Sequence, residues 1–237
     1  MKLKRFKSAH TLNQITFTVT LNVANEYAPK PATKFIPEWY KATSNRIGKK
    51  NPDSNPTIKK CIPVFDAITA GYVLVTPFDV WIKQVEGEPQ YQTARNSEGM
   101  IQFHPVMQAS KHPISNGLQF PKWINPWAIK TPKGYSTLFV PPMHNPNPWF
   151  QIAEGIVDTD TYFAPVNFPF VLKDPSYEGL IPAGTPMAQV IPFKRESWNM
   201  TMGTEEDVEK QNKITLYLSS QFFDRYKRMF WARKEYK

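Results

Sequence analysis

Cysteine is almost absent from this chain of 237 residues. The single Cys61 excludes an intrachain disulfide framework and any zinc site built from several cysteines. Long apolar runs are also missing. The longest charge-free stretch, Tyr135 to Ala153, contains four prolines, and no segment approaches the roughly 18 apolar residues of a spanning helix. The basic start Met1-Lys-Leu-Lys-Arg-Phe-Lys7 is not followed by an apolar core, so no secretory signal is expected. Acid is scarce at one end: residues 1–60 hold 12 Lys/Arg against 3 Asp/Glu, and the rest holds 17 of each. The net charge of +9 is therefore that of the first quarter. No G-x-S-x-G, P-loop or G-x-G-x-x-G occurs, which removes the simplest hydrolase, NTPase and dinucleotide chemistries. The four histidines, His10, His104, His112 and His144, begin no H-x-D or H-E-x-x-H pattern and read as surface or hydrogen-bonded side chains. Periods typical of solenoids or propellers are absent.

Aromatic and apolar residues are plentiful, 14% and 41%, enough for a large core. Proline divides the chain: thirteen fall between 121 and 192, none after, so continuous helix is excluded from the first segment. Runs rich in β-branched and aromatic residues predict strands at Ile15–Val23, Ala70–Thr76, Val80–Val85, Ser136–Val140, Phe150–Val157, Val166–Leu172 and Met187–Phe193. A short helix is expected around Glu38–Thr43, before a basic, Asn/Pro-rich loop at Asn45–Asn55. Thr204 with Glu205, Glu206 and Asp207 reads as an N-cap and acidic first turn. Leu218, Phe222, Phe223, Tyr226, Phe230 and Trp231 then recur at helical steps opposite a cationic face. Lys213–Ser219 fits either that helix or a strand before it. The expected division is a basic N-terminal strand and arm (1–60), a β core (61–200) and a C-terminal extension (201–237).

Candidate chemistry is sparse. In Gly155-Ile-Val-Asp-Thr-Asp-Thr-Tyr162, an extended backbone places Asp158 and Asp160 on one face. Such a pair can hold Mg²⁺ with its waters or position an attacking water; it can equally end a strand in a turn, accepting backbone N–H groups. Tyr162 closes the motif, and Lys130, Lys133 and Lys194 are candidate phosphate ligands. Phe35, Trp39 and Tyr40, interleaved with Lys34, Lys41, Arg46, Lys49 and Lys50, suit a protein interface or base stacking with phosphate neutralisation. Cys61, in the context Ile62-Pro-Val-Phe65, is expected to be buried.

Three stretches resemble the dUTPase and dCTP-deaminase superfamily. They are Trp127-Ala-Ile-Lys-Thr-Pro-Lys-Gly-Tyr-Ser-Thr-Leu-Phe-Val-Pro141, Gly155–Tyr162 and Ile181-Pro-Ala-Gly-Thr-Pro-Met-Ala-Gln-Val-Ile191, with a fainter echo in Ala70-Gly-Tyr72. The resemblance covers about a third of the chain. It implies a β-clip fold (a distorted β-barrel or sandwich) and a homo-oligomer, with a trimer the usual form. The family's Arg-Ser phosphate motif is replaced by Pro141-Pro-Met-His144, no acid lies in Val166-Asn-Phe-Pro-Phe170 where the deaminases carry their catalytic Glu, and Tyr162 is one residue late. The Gly-rich arm is replaced by the aromatic, basic segment 205–237.

Most of the chain is also similar to a protein family of tailed phages, notably those of cyanobacteria, and of some bacteria. The residues carrying this are Ile36-Pro-Glu-Trp-Tyr-Lys41, Ile58-Lys-Lys-Cys-Ile-Pro63 with Gly71-Tyr72, Asn125-Pro-Trp127 and Val157–Tyr162 with Asn167-Phe-Pro-Phe170. It implies a viral setting, in the host cytoplasm or the virion, and no particular activity. The leading expectation is a mainly β, non-catalytic protein acting through protein contacts, without a cofactor. The alternatives are a nucleotide hydrolase using Asp158 and Asp160 with Mg²⁺, and a nucleic-acid-binding protein using residues 1–60. Membrane association is not expected.

Overall fold

A computed structural model describes residues 13–237 apart from 22, 24, 49–54, 116, 118, 119 and 220–224. His10, Lys49, Lys50, Phe222 and Phe223 therefore lie outside the described residues. Among those described, fourteen strands pair antiparallel in four sheets, and the protein is mainly β.

In chain order the strands are β1 (Thr16–Val19), β2 (Lys30–Pro31), β3 (Tyr72–Val75), β4 (Val80–Val85), β5 (Glu88–Thr93), β6 (Ile101–His104), β7 (Phe120–Trp123) and β8 (Trp127–Lys130). There follow β9 (Tyr135–Val140), β10 (Phe150–Ile152), β11 (Gly155–Val157), β12 (Phe168–Leu172), β13 (Gly179–Ile181) and β14 (Pro186–Lys194). The helices are α1 (Glu38–Ala42), α2 (Ile62–Thr69), α3 (Val106–Ala109), α4 (Glu205–Ser219) and α5 (Arg225–Met229). Sheet orders are β1-β8, β10-β12-β7-β6, β11-β9-β14-β3-β2 and β13-β4-β5.

The described chain forms two compact units. One contains Asn13–Pro37 and Ala67–Arg195, with Tyr236–Lys237; the described part of the other is Glu38–Asp66 with Glu196–Glu235. The first carries all four sheets. Alternation along each strand sends one set of side chains inward, and β12 shows it cleanly: Phe168, Phe170 and Leu172 are buried, while Pro169 and Val171 are half-buried. Trp123, Phe150 and Phe170, from three adjacent strands, meet with ring centroids 5.0–5.4 Å apart. Full burial of rings this size supplies roughly 1.5–3 kcal/mol each, so this cluster ties β7, β10 and β12 into one layer of the core.

Gly71 shows where close packing leaves no choice of residue. Its φ is +67°, and an added Cβ would lie 2.0 Å from the Val190 carbonyl oxygen. A side chain is excluded there by sterics as well as by conformation.

In the smaller unit, Tyr40 on α1 is 6% exposed and its hydroxyl donates to the Lys59 carbonyl at 3.1 Å. Asp66 on α2 accepts from the Trp231 indole N–H at 3.0 Å and from the Lys234 ammonium at 2.6 Å.

Several expectations are revised. Phe150–Val157 is two strands in different sheets, because the chain crosses at Ala153-Glu154. Of the two alternatives open for Lys213–Ser219 the helix holds: it continues α4 from its Thr204 cap, where Thr204 Oγ1 accepts the Asp207 N–H. Its alternating apolar residues lie on no sheet: Val208, Ile214 and Leu216 are 44–69% exposed. Residues 62–69 form α2, with Pro63 in the first turn, where its missing N–H costs nothing. Cys61 precedes that helix and is exposed, contrary to the expected burial. It borders a cleft of about 250 Å³ lined by Lys60, Ile62, Pro63, Tyr226 and Lys227.

Candidate functional site

The acidic motif sits where β11 ends. β11 pairs with β9 as Gly155↔Phe139, Ile156↔Leu138 and Val157↔Thr137. The chain then turns: the Thr161 and Tyr162 N–H groups both donate to the Asp158 carbonyl, at 3.1 and 2.8 Å. Thr159 points inward and is fully buried, its hydroxyl 2.8 Å from that of Thr131 and 2.7 Å from that of Thr137. With Thr159 held inside, its neighbours Asp158 and Asp160 are directed to the other side.

Both converge on Arg195, the residue after β14. The pairing of β14 with β9 runs to Lys194↔Tyr135, and the Arg195 N–H donates to the Gly134 carbonyl at 2.8 Å. The guanidinium grips Asp160 with two parallel bonds, 2.7 and 2.5 Å. It also lies 3.1 Å from Asp158 Oδ1, 3.3 Å from Ser136 Oγ and 3.3 Å from the Tyr135 carbonyl. Asp160 further accepts the Gly134 N–H at 2.8 Å, and Asp158 accepts the Ser136 hydroxyl at 2.6 Å.

The carboxylates are not equivalent. The Asp160 side chain is 3% exposed, that of Asp158 60%, and that of Arg195 37%. Bidentate pairing with Arg195, reinforced by the Gly134 N–H, holds the Asp160 carboxyl at about 2, with desolvation opposing. The same bonds raise the pKa of Arg195. Asp160 is thus an anchor that stays ionised until pH falls to about 2.

This arrangement fixes a guanidinium between two carboxylates. A Mg²⁺ ion bridging the pair would have to displace it, and among the described residues no group of three or more His, Cys, Asp or Glu is placed to hold a metal ion.

The remaining candidates are dispersed. Tyr162 is 49% exposed. Lys130, Lys133 and Lys194 are all exposed; the Lys130 ammonium lies 5.8 Å from the Phe163 ring centre. In the basic segment, Tyr40 is a core side chain and Phe35 is half-buried against Ala32, Val73 and Val75. Trp39 is 40% exposed and packs edge-on to Tyr40 at 5.5 Å. Arg46 is half-buried and bridges to Pro56.

Sequence reasoning did not single out Arg195, which lies 35 residues beyond Asp160. Its signal, a lone Arg at the end of a predicted strand, becomes meaningful only through the β14–β9 register. Comparison with protein-family models, curated proteins and solved structures finds no match to this chain.

Proposed function

We propose that this is a non-catalytic β-clip protein of tailed phages that acts through protein–protein contacts, in or on the virion. It works as a homo-oligomer, with the trimer the form its family resemblance implies. The observation that carries this reading is the occupation of the acidic motif. Arg195 and the Gly134 N–H engage Asp160, and Arg195 with Ser136 engages Asp158. One guanidinium bridges the two carboxylates, pairing fully with Asp160 and in part with Asp158, and this braces a strand end where a bridging metal ion would otherwise sit. Exposed apolar side chains outside the core, Trp198 at 88% among them, supply contact surface.

A nucleotide-hydrolase reading is favoured by one feature. Arg195 is a partly exposed guanidinium, and the lysines at 133 and 194 stand beside Gly134 and itself in the chain, a cationic setting suited to phosphates. A screen of dNTPs with Mg²⁺ separates the two. The contact reading expects no turnover and recovery of the protein from purified virions by mass spectrometry. Turnover abolished by Asp158→Asn would overturn it. Binding of nucleic acid by residues 1–60 is checked by filter binding at two salt concentrations, where phosphate contacts would make affinity fall steeply with salt.

A further inference from the structure

Residues 195–204 form neither helix, strand nor turn, yet hold three of the most exposed large apolar side chains described. Trp198 is 88% exposed, and Met200 and Met202 are 86% each. Spaced two apart, they share one side of the chain when it is extended. The root of this segment is fixed: Lys194 pairs with Tyr135, and Arg195 is held by Asp160 and Gly134.

A second unpartnered surface lies on the five-stranded sheet. Cross-strand register aligns Ile191, Leu138 and Ile156 in one row over β14, β9 and β11. In the neighbouring rows Val190, Phe139 and Val157 pack into the core and Thr137 is fully buried, so this row faces away from it. Ile156 is 63% exposed, and Phe193, two residues along β14, is 37% exposed. Leu138 and Ile191 are half-buried. β11 is moreover an edge strand, with unpaired backbone on its far side.

We propose that segment 196–204 of one copy packs Trp198, Met200 and Met202 onto the Ile156–Leu138–Ile191 row of a second copy. This deepens the contact reading above and rests on it. A single chain exposes both halves of the contact, an apolar arm and an apolar strip, and assembly of identical chains satisfies both at once. The two patches are unlike, so the contact is head-to-tail and closes as a ring when the rotation permits, as in a trimer; reciprocal exchange between two copies satisfies it equally. Three large side chains remove on the order of 500 Å² from the arm, and the partly covered strip contributes roughly 300 Å². One such contact, about 800 Å², is below the lower bound of a specific interface, and a reciprocal pair, about 1,600 Å², reaches the standard size.

The test uses the full chain. Sedimentation velocity should give a multiple of 27.4 kDa for the wild type, and Trp198→Asp with Met200→Asp should weaken association about 30-fold or more, the loss of a central anchor. Because both side chains are solvent-exposed in the single chain, the variant keeps its fold, checked by circular dichroism. In a Cys61→Ser background, two singly substituted proteins, Ile156→Cys and Met200→Cys, are mixed and treated with a short bismaleimide. A strong cross-link between the two supports the contact. A monomeric wild type, an unchanged mass for the double variant, or a cross-link that forms within a chain carrying both Ile156→Cys and Met200→Cys but not between the two single variants overturns it. An oligomer that survives the arm substitutions removes this surface while leaving the contact reading intact. Asp158-dependent dNTP turnover removes the contact reading itself, whatever the mass.

Discussion

Replacing Gln189 with Met should destabilise the protein by about 3 kcal/mol. Gln189 lies on β14, is 1% exposed, and spends its amide on three backbone groups. Its Nε2 donates to the Ala67 and Ala70 carbonyls at 2.9 and 2.7 Å, and its Oε1 accepts the Met143 N–H at 2.8 Å. Ala67 is in the last turn of α2 and Ala70 follows its end, where helix carbonyls lack intrahelical partners. A side chain from the central strand therefore caps this helix while holding the loop after β9. Methionine preserves length and volume, so little cavity forms; the loss is three bonds at about 1 kcal/mol each, more for whichever group stays shut from water. At roughly 2–4 °C per kcal/mol for a chain of this size, the melting temperature falls about 6–12 °C. Urea unfolding followed by circular dichroism measures this directly. Gln189→Glu gives an internal control of sign. It keeps the acceptor but turns a carboxylate towards two carbonyls, so its folded pKa is raised. The variant is best tolerated when protonated, below about pH 4, and loses stability as pH rises. A Met variant within about 1 kcal/mol of wild type would refute the capping argument.

Asp160 has the opposite linkage. Its folded pKa of about 2 lies below the unfolded value of 3.8, so its stabilisation is complete above that unfolded value and disappears as pH falls through about 2. The stability difference between wild type and Asp160→Asn should be constant from neutral pH to about pH 4 and shrink below it; a difference that grows on acidification would contradict the Arg195 pairing. Gly71→Ala should abolish soluble expression or cost several kcal/mol, since a Cβ 2.0 Å from the Val190 carbonyl cannot be accommodated by a rotamer change. Near-wild-type melting of that variant would show that β3 and β14 separate more easily than their pairing implies.

The strand runs were legible because their signal is local. β-branched and aromatic residues between prolines and glycines identified β4 residue for residue, and β3, β9, β12 and β14 within about two residues. β5 was not legible: Glu-Pro-Gln-Tyr-Gln-Thr has little β-branched character, and its strand state comes from pairing with β4 along its full length. The C-terminal helix was legible from its cap, although its apolar residues suggested more burial than α4 has.

The amino-acid sequence by itself determined that the protein is mainly β and that its charge lies in the first quarter, because composition acts locally; for Asp158 and Asp160 it left both an extended strand and a strand-ending turn open, and the structure has the turn. Only the tertiary structure decided what those carboxylates face. Strand register carries Arg195 back across 35 residues to Asp160, and Gln189 across about 120 to Ala67 and Ala70. Hydrogen-bond pairing between distant strands selects such partners, and no local pattern encodes them.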